Sequence, residues 1–327
     1  MTRPLFSGID DDLTRVEALL IAETRSDVGA VRDISGHTLL SGGKRLRPAL
    51  ALLSARVVGR VFPAGRVQAA AAAAEMIHMA TLMHDDVVDE SPERRGRPTA
   101  NSVFGNSITV LTGDFLLAKA ISMLAHNDEN LRIVRVFADV TVAMAEGEVL
   151  QAAVAGDPEI GLDTYEEVIE RKTARFLAGC CETGAMLGGA DAGEAAALRA
   201  YGHHLGMAFQ IADDLLDFRG EPKKTGKALG ADLRDGRMTL PLLHTLAHAD
   251  AATQAFLREV IRRRDRITDA DIAGVTAAIA LNGGFEAARV VAQGRSERAI
   301  AELACFAVGP FRDSLENLAR YVVSRDR

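Results

Sequence analysis

The sequence predicts an all-α protein, organised as one large helical domain over residues 1–327. Three observations carry this reading. Alternation of β-branched and polar residues, the mark of a strand, is rare along the chain. Ala, Leu, Met, Glu and Arg dominate, and all are good helix formers. The interruptions fall at Gly and Pro clusters, with only 9 Pro in 327 residues. A first helix is expected at 10–34 and a second at 45–59, with Ser41-Gly42-Gly43 breaking the chain between them. The third, 66–89, is Ala-rich and stops before Ser91-Pro92. Helices at 101–125 and 130–154 follow, the latter closed by Gly156-Asp157-Pro158. Those at 163–189 and 193–218 end at Gly220-Glu221-Pro222, and 238–248, 252–263, 269–281, 285–305 and 309–324 complete the chain. Small Ala side chains let helices approach closely and can line a narrow cavity. No low-complexity segment, linker or 30–50-residue repeat interrupts this order.

Bulk composition narrows the classes of function. Hydrophobic residues at 48% and charged residues at 25% are the balance of a soluble globular chain. A net charge of -7 and the lack of a long basic run argue against nucleic acid as a partner. Cys180, Cys181 and Cys305 have no metal-ligand spacing and read as reduced thiols. The segment Met1 to Leu13 contains Asp10-Asp11-Asp12 and lacks a charged-then-apolar export pattern. Val67 to Met83 is the best candidate for a membrane span, but Glu75 and His78 interrupt it. A cytoplasmic protein without a membrane span is therefore expected.

One acidic pattern occurs twice, as Asp85-Asp86-Val87-Val88-Asp89 and as Asp213-Asp214-Leu215-Leu216-Asp217, each inside an apolar helical stretch. Carboxylates placed where a core is expected need compensating charge. Mg²⁺ supplies it and characteristically joins protein carboxylates to substrate phosphates. On a helix Asp85 and Asp89 share a face, and the same stripe runs back through Thr81 to His78. Gln210, Asp213, Asp214 and Asp217 fall at i, i+3, i+4 and i+7, again one face. A solvated acidic helix end would account for a single copy. Each copy, however, runs into a basic loop: Arg94-Arg95-Gly96-Arg97 after the first, Lys223 to Arg237 after the second. Arg offers a planar fork to phosphate oxygens, and the first loop is expected to be mobile. Further anchors are Ser41-Gly42-Gly43-Lys44-Arg45-Leu46-Arg47, which leads Lys and Arg into a helix start, and Arg171-Lys172-Thr173.

Taken together, GGKRLRP, HDDVVDE, RRGRPT, RKTA, FQIADDLLDF and GKALGADLRDGRMTLP resemble the trans-isoprenyl diphosphate synthases, in that family's order and over nearly the whole chain. NSVFGNS, AEGEVLQ and the VVSRDR end are most similar to bacterial octaprenyl and related long-chain synthases. The resemblance implies the isoprenoid synthase fold around a deep central cavity, usually as a homodimer. It implies head-to-tail condensation of isopentenyl diphosphate with an allylic diphosphate (geranyl, farnesyl or geranylgeranyl), with about three Mg²⁺ ions per site. By that resemblance Asp85, Asp89 and Asp213 are direct metal ligands, while Asp86, Asp214 and Asp217 ligate or act through water. Arg94, Lys172, Lys227 and Arg237 would hold the allylic diphosphate. Lys44, Arg47, His78 and Arg95 would hold isopentenyl diphosphate. Thr173 and Gln210 would present oxygen dipoles to the allylic cation, and Arg237 stands where Lys is common. The two repeats are expected to face each other across one site.

Diphosphate leaves only when its charge is neutralised, and the resulting cation must be kept from water. The departed diphosphate takes the proton, so no His or Glu base is required. Ala80 and Thr81, one turn above Asp85, are small where an aromatic would stop the growing chain early, so a long all-trans product of about C30–C50 is expected, with octaprenyl as the leading candidate. Bulky residues near Met123 and Phe137 to Met144 are expected at the cavity floor. Such a product would leave through peripheral membrane contact. A shorter-chain synthase (about C20–C25) or a non-catalytic subunit of a heteromeric synthase are the alternatives, although neither repeat is degraded. A terpene cyclase would lack the second repeat and the isopentenyl anchors, and a plain scaffold would need no basic clusters at these spacings.

Overall fold

The computed structural model of the chain describes residues 6–94, 96–127, 131–219 and 229–324. The chain divides into two compact units, one built from the residues up to Thr141 with Leu177–Gly202 and Ala301–Leu318, the other from Val142–Phe176, His203–Ile300 and the residues from Ala319. Among the described residues the secondary structure is helical apart from one two-stranded ladder.

In the first unit α1 (Asp10–Glu23), α2 (Gly29–Leu40), α3 (Leu46–Val57) and α4 (Ala64–Val88) precede the ladder, and α5 (Ala100–Phe104) and α6 (Asn106–Asn127) follow it. The helix α4 packs against α1, α3 and α6. Its residues Val67 to Ile77 are buried all round, as expected of a helix apolar on every face. Glu75 lies in this Ala-rich stretch at 4% exposure because Arg45 Nη1 bonds its carboxylate at 2.9 Å. The helix expected at 10–34 is two helices. Thr24 turns its hydroxyl onto the Leu20 carbonyl (2.7 Å), and Ser26 Oγ accepts from the Val28 amide (3.2 Å). A Thr-Arg-Ser-Asp run thus offers the backbone side-chain partners that compete with the helix. Gly105, at φ +86, likewise separates α5 from α6, which the sequence reading joined.

The segment after the first repeat forms an antiparallel ladder, β1 (Glu93–Arg94) with β2 (Arg97–Pro98). It is tied down at its base, where Thr99 Oγ1 donates to the Ser91 carbonyl at 2.6 Å. His37 Nε2 lies 2.8 Å from the Pro98 carbonyl oxygen, and Arg97 Nη1 donates to the Leu40 carbonyl at 2.8 Å. Among the described residues the helix long and apolar enough to cross a bilayer, by length and composition alone, is Asn106–His126, of mean hydropathy 1.6, rather than the candidate 67–83 read in the sequence. Only 33% of that window is buried, and Ile108, Leu111 and Ile121 are exposed.

The second unit is built on the C-terminal part of α7 (Arg132–Ala153), on α8 (Leu162–Ile169) and on the His203 end of α10 (Ala192–Arg219). The short α11 (Ala231–Arg234), α12 (Leu240–His248), α13 (Ala251–Arg263), α14 (Asp269–Leu281) and α15 (Gly284–Glu302) close around a core that includes Ile211, Phe218, Leu242, Leu257, Val275 and Ile279. The last helix, α16, is Pro310–Ser324. The stretch 163–189 is not one regular helix. Between α8 and α9 (Arg175–Leu187) the backbone widens into a π-helical turn at Glu170–Ala174. Glycines admit that turn on two sides: a Cβ on Gly147 would stand 3.0 Å from the Lys172 amide nitrogen, and one on Gly206 would stand 2.5 Å from Ala174 Cα. Turns of this kind appear mostly as single bulges inside α-helices, frequently at functional sites.

Candidate active site in two acidic repeats

The first repeat occupies the last turn of α4, with Asp89 as its C-cap. A helix C-terminus disfavours carboxylates, so the three acids need local cations. They differ in setting: Asp85 is half-buried, Asp89 exposed and Asp86 only 6% exposed. Asp86 Oδ1 accepts from Arg94 Nε at 2.7 Å, and its own carbonyl accepts from Asn101 Nδ2 at 3.1 Å. The Asp86–Arg94 pair therefore fastens the hairpin to the acidic helix. His84, just ahead of the repeat, lies 3.1 Å from the Val110 carbonyl oxygen and 3.4 Å from Asp114. One turn above, Ala80 is 2% exposed, while Thr81 and His78 are half-buried and joined by the Thr81 hydroxyl donating to the His78 carbonyl (2.9 Å).

The Gly42–Gly43 loop sorts its cations. Arg45, at φ +49 ahead of α3, turns inward to Glu17 (2.5 Å) and Glu75 (2.9 Å). Lys44 stays exposed and Arg47 half-buried. Arg45 is thus a structural cation. Arg95 and Lys227, both expected to bind phosphate, lie outside the described residues.

The second repeat ends α10. Asp213 is exposed, Asp217 half-buried and Asp214 4% exposed. Among the described residues the side chains that donate to Asp214 are neutral, Tyr165 Oη on Oδ2 at 2.7 Å and Gln210 Nε2 on Oδ1 at 3.0 Å. Gln210 Oε1 in turn accepts from Thr173 Oγ1 at 2.9 Å. Burial, then the nearby Asp232 carboxylate, push the Asp214 carboxyl well above the ordinary range, and these outweigh the hydrogen bonds that lower it. Asp217 Oδ2 accepts from the Asp232 amide at 3.1 Å and so fixes the start of α11. Arg237 reaches Asp232 at 3.2 Å and Asp235 at 3.4 Å, and Lys172 pairs with Glu148. A chamber of about 70 Å³ opens among Lys172, Gln210, Asp214, Asp232, Arg237 and Thr239. Thr239 Oγ1 has no hydrogen-bond partner there among the described residues.

The structure therefore unites Asp86 with Arg94, and Thr173, Gln210 and Asp214 with one another. Sequence reasoning missed Tyr165 and Asp232. The only signal for Tyr165 was an aromatic just ahead of Glu166-Glu167, which reads as core. Asp232 sat in a loop valued for its basic residues.

The donor set is all oxygen, the choice of a hard cation such as Mg²⁺. No three His, Cys, Asp or Glu side chains converge on one point among the described residues.

Comparisons with known proteins agree along nearly the whole chain. The family model described as Polyprenyl synthetase matches residues 29–279. The chain is 37% identical to octaprenyl diphosphate synthase of Escherichia coli, over 97% of this chain and 96% of that protein. It is 36% identical to heptaprenyl diphosphate synthase component 2 of Geobacillus stearothermophilus, over 99% of each. A polyprenyl synthase from Caulobacter crescentus, solved with calcium and isoprenyl diphosphate, superposes with a TM-score of 0.94 at 38% identity, covering 99% of this chain and 98% of that one. A decaprenyl diphosphate synthase from Rhodobacter capsulatus gives 0.92 at 40% identity, with the same coverage.

Proposed function

The chain belongs to the polyprenyl synthetase family and is a prenyltransferase, and from that premise we propose that it condenses isopentenyl diphosphate with an allylic diphosphate, in repeated Mg²⁺-dependent cycles, to a long all-trans polyprenyl diphosphate. Octaprenyl is the product we favour, within about C30–C50, because Ala80 and Thr81 leave the wall above the first repeat small. The observation that carries the reading is the joining of each repeat to phosphate-binding chemistry. Asp86 holds Arg94, and the Asp214 chamber includes Lys172 and Arg237.

In this reading Asp85, Asp89 and Asp213 offer carboxylates to about three Mg²⁺ ions, and Asp86, Asp214 and Asp217 support them. Bound Mg²⁺ neutralises the diphosphate leaving group. Arg94, Lys172, Lys227 and Arg237 bind the allylic diphosphate, and Lys44, Arg47, His78 and Arg95 bind isopentenyl diphosphate. The Thr173 hydroxyl donates its hydrogen bond to Gln210 Oε1, so its oxygen lone pairs remain available to the electropositive allylic carbons. The protein works in the cytoplasm and releases its product at a membrane surface. Its partner is a second copy: the exposed Ile108, Leu111 and Ile121 on α6 form an apolar face that water disfavours. Leu111→Glu should convert a dimer to monomer in analytical ultracentrifugation.

The test is incubation with Mg²⁺, isopentenyl diphosphate and farnesyl diphosphate, followed by mass analysis. Long-chain products support the reading, whereas diphosphate release without elongation overturns it. Likeness to a component 2 chain gives a second reading, a subunit active only with a different partner chain. Activity of the isolated chain excludes that reading.

A further inference from the structure

We propose that Tyr165 is a positioning residue of the second acidic repeat, holding Asp214 so that Gln210 and Thr173 keep the polarity the reaction needs; the proposal rests on the prenyltransferase reading above.

Four side chains form a directed chain. Tyr165 Oη donates to Asp214 Oδ2 (2.7 Å), Gln210 Nε2 donates to Asp214 Oδ1 (3.0 Å), and Thr173 Oγ1 donates to Gln210 Oε1 (2.9 Å). An amide is polar end to end, so fixing its NH₂ on Asp214 fixes its carbonyl on Thr173. Turned over, Gln210 would present N–H groups to Thr173, and the hydroxyl would have to accept rather than donate. One of its lone pairs would then be taken, and the amide would place positive hydrogens where positive carbon charge develops. Asp214 prevents this only while its own orientation is held. At 4% exposure it cannot rely on bulk water, and Tyr165, also 4% exposed, is the donor on the oxygen that Gln210 does not occupy.

The backbone supports the same conclusion. Tyr165 lies on α8, and Thr173 lies in the π-helical turn that follows it. Both reach the same turn of α10 and bracket Gln210 and Asp214 from the two ends. Gly206 lets Ala174 approach α10 closely enough for Thr173 to make its bond. A tyrosine serving only the core would not need its hydroxyl aimed at a carboxylate of the repeat.

Tyr165→Phe keeps the ring and removes only the hydroxyl. Tyr201→Phe is the control, because Tyr201 is also buried and its Oη donates to the Leu315 carbonyl at 2.8 Å. Supporting residues of this kind typically cost tenfold to hundredfold when lost. Tyr165→Phe should lower kcat by about tenfold or more and raise the Mg²⁺ concentration for half-maximal rate. The KM for isopentenyl diphosphate should stay within about twofold, and Tyr201→Phe should change none of these. Wild-type kcat and Mg²⁺ dependence in Tyr165→Phe, or equal losses in the two variants, would overturn the proposal. If the wild-type chain makes no polyprenyl product, the prenyltransferase reading fails on its own. Tyr165 is then judged by Mg²⁺-dependent binding of inorganic diphosphate in calorimetry: weakening in Tyr165→Phe alone supports its role, and unchanged binding overturns it.

Discussion

The two acidic repeats share a spacing but solve the burial of their middle carboxylate differently. Asp86 is matched by a full positive charge, Arg94, reaching back from a hairpin. Asp214 is held by a phenol and an amide from packed helices. The first arrangement joins the carboxylate to a guanidinium, and under the proposed function that cation would link substrate binding to hairpin placement. The second keeps its cations, Lys172 and Arg237, on other acids, Glu148 and Asp232, and uses neutral groups to set direction. One repeat is organised by charge and the other by hydrogen-bond polarity.

The largest effect should ignore this difference. Asp85→Ala and Asp213→Ala should each reduce condensation by about a thousandfold in a labelled isopentenyl diphosphate assay, since both remove charge that stabilises the leaving diphosphate. A repeat that tolerated the change would not belong to the reacting centre. Next, Arg94→Ala should cost about 2–3 kcal/mol in denaturant unfolding, because Asp86, 6% exposed in the wild type, loses a charged hydrogen-bond partner. Tyr165→Phe should cost about 1–2 kcal/mol, the scale of a lost neutral donor to a buried acceptor. Equal costs would erase the distinction between charge and polarity. Ala80→Phe then tests a property assigned to the first repeat alone. The products should shorten, as read by chromatography, while over-packing at this 2%-exposed position costs about 1–3 kcal/mol. Unchanged length would move the length gauge away from α4.

Much of this was legible in the sequence, for reasons that residues make plain. The helix set follows from composition and Gly/Pro breaks, and the repeats announce themselves by spacing. What was hidden depends on neighbours distant in sequence. The π-helical turn needs Gly147 and Gly206 to let backbones approach, and no 3.6-residue periodicity within 163–189 encodes that. Arg45 and Arg47 sit in one basic run. A left-handed backbone at Arg45 sends it to Glu17 and Glu75, so its role depends on α1 and α4. Tyr165 reads as a core aromatic until α10 brings Asp214 to its hydroxyl. The α1–α2 break was within reach, since Thr24 and Ser26 are residues that bond their own backbone.

The smallest expected effect concerns the helix that carries the second repeat. Burial first, then His203, Arg295 and Arg298, lower the His204 pKa to about 4. Its Nδ1 has no hydrogen-bond partner among the described residues. An unfolded histidine takes up its proton near pH 6.5, whereas the folded one resists until about 4. Stability contributed by neutral His204 is therefore complete above pH 6.5 and declines as pH falls toward 4. His204→Gln should flatten that part of the thermal stability profile without altering the Arg94→Ala cost. If the variant declines as steeply as the wild type, the acid sensitivity of this unit lies elsewhere. If its slope alone is relieved, acid loosens the helix bearing the polarity-organised repeat through a group that the charge-organised repeat does not contain.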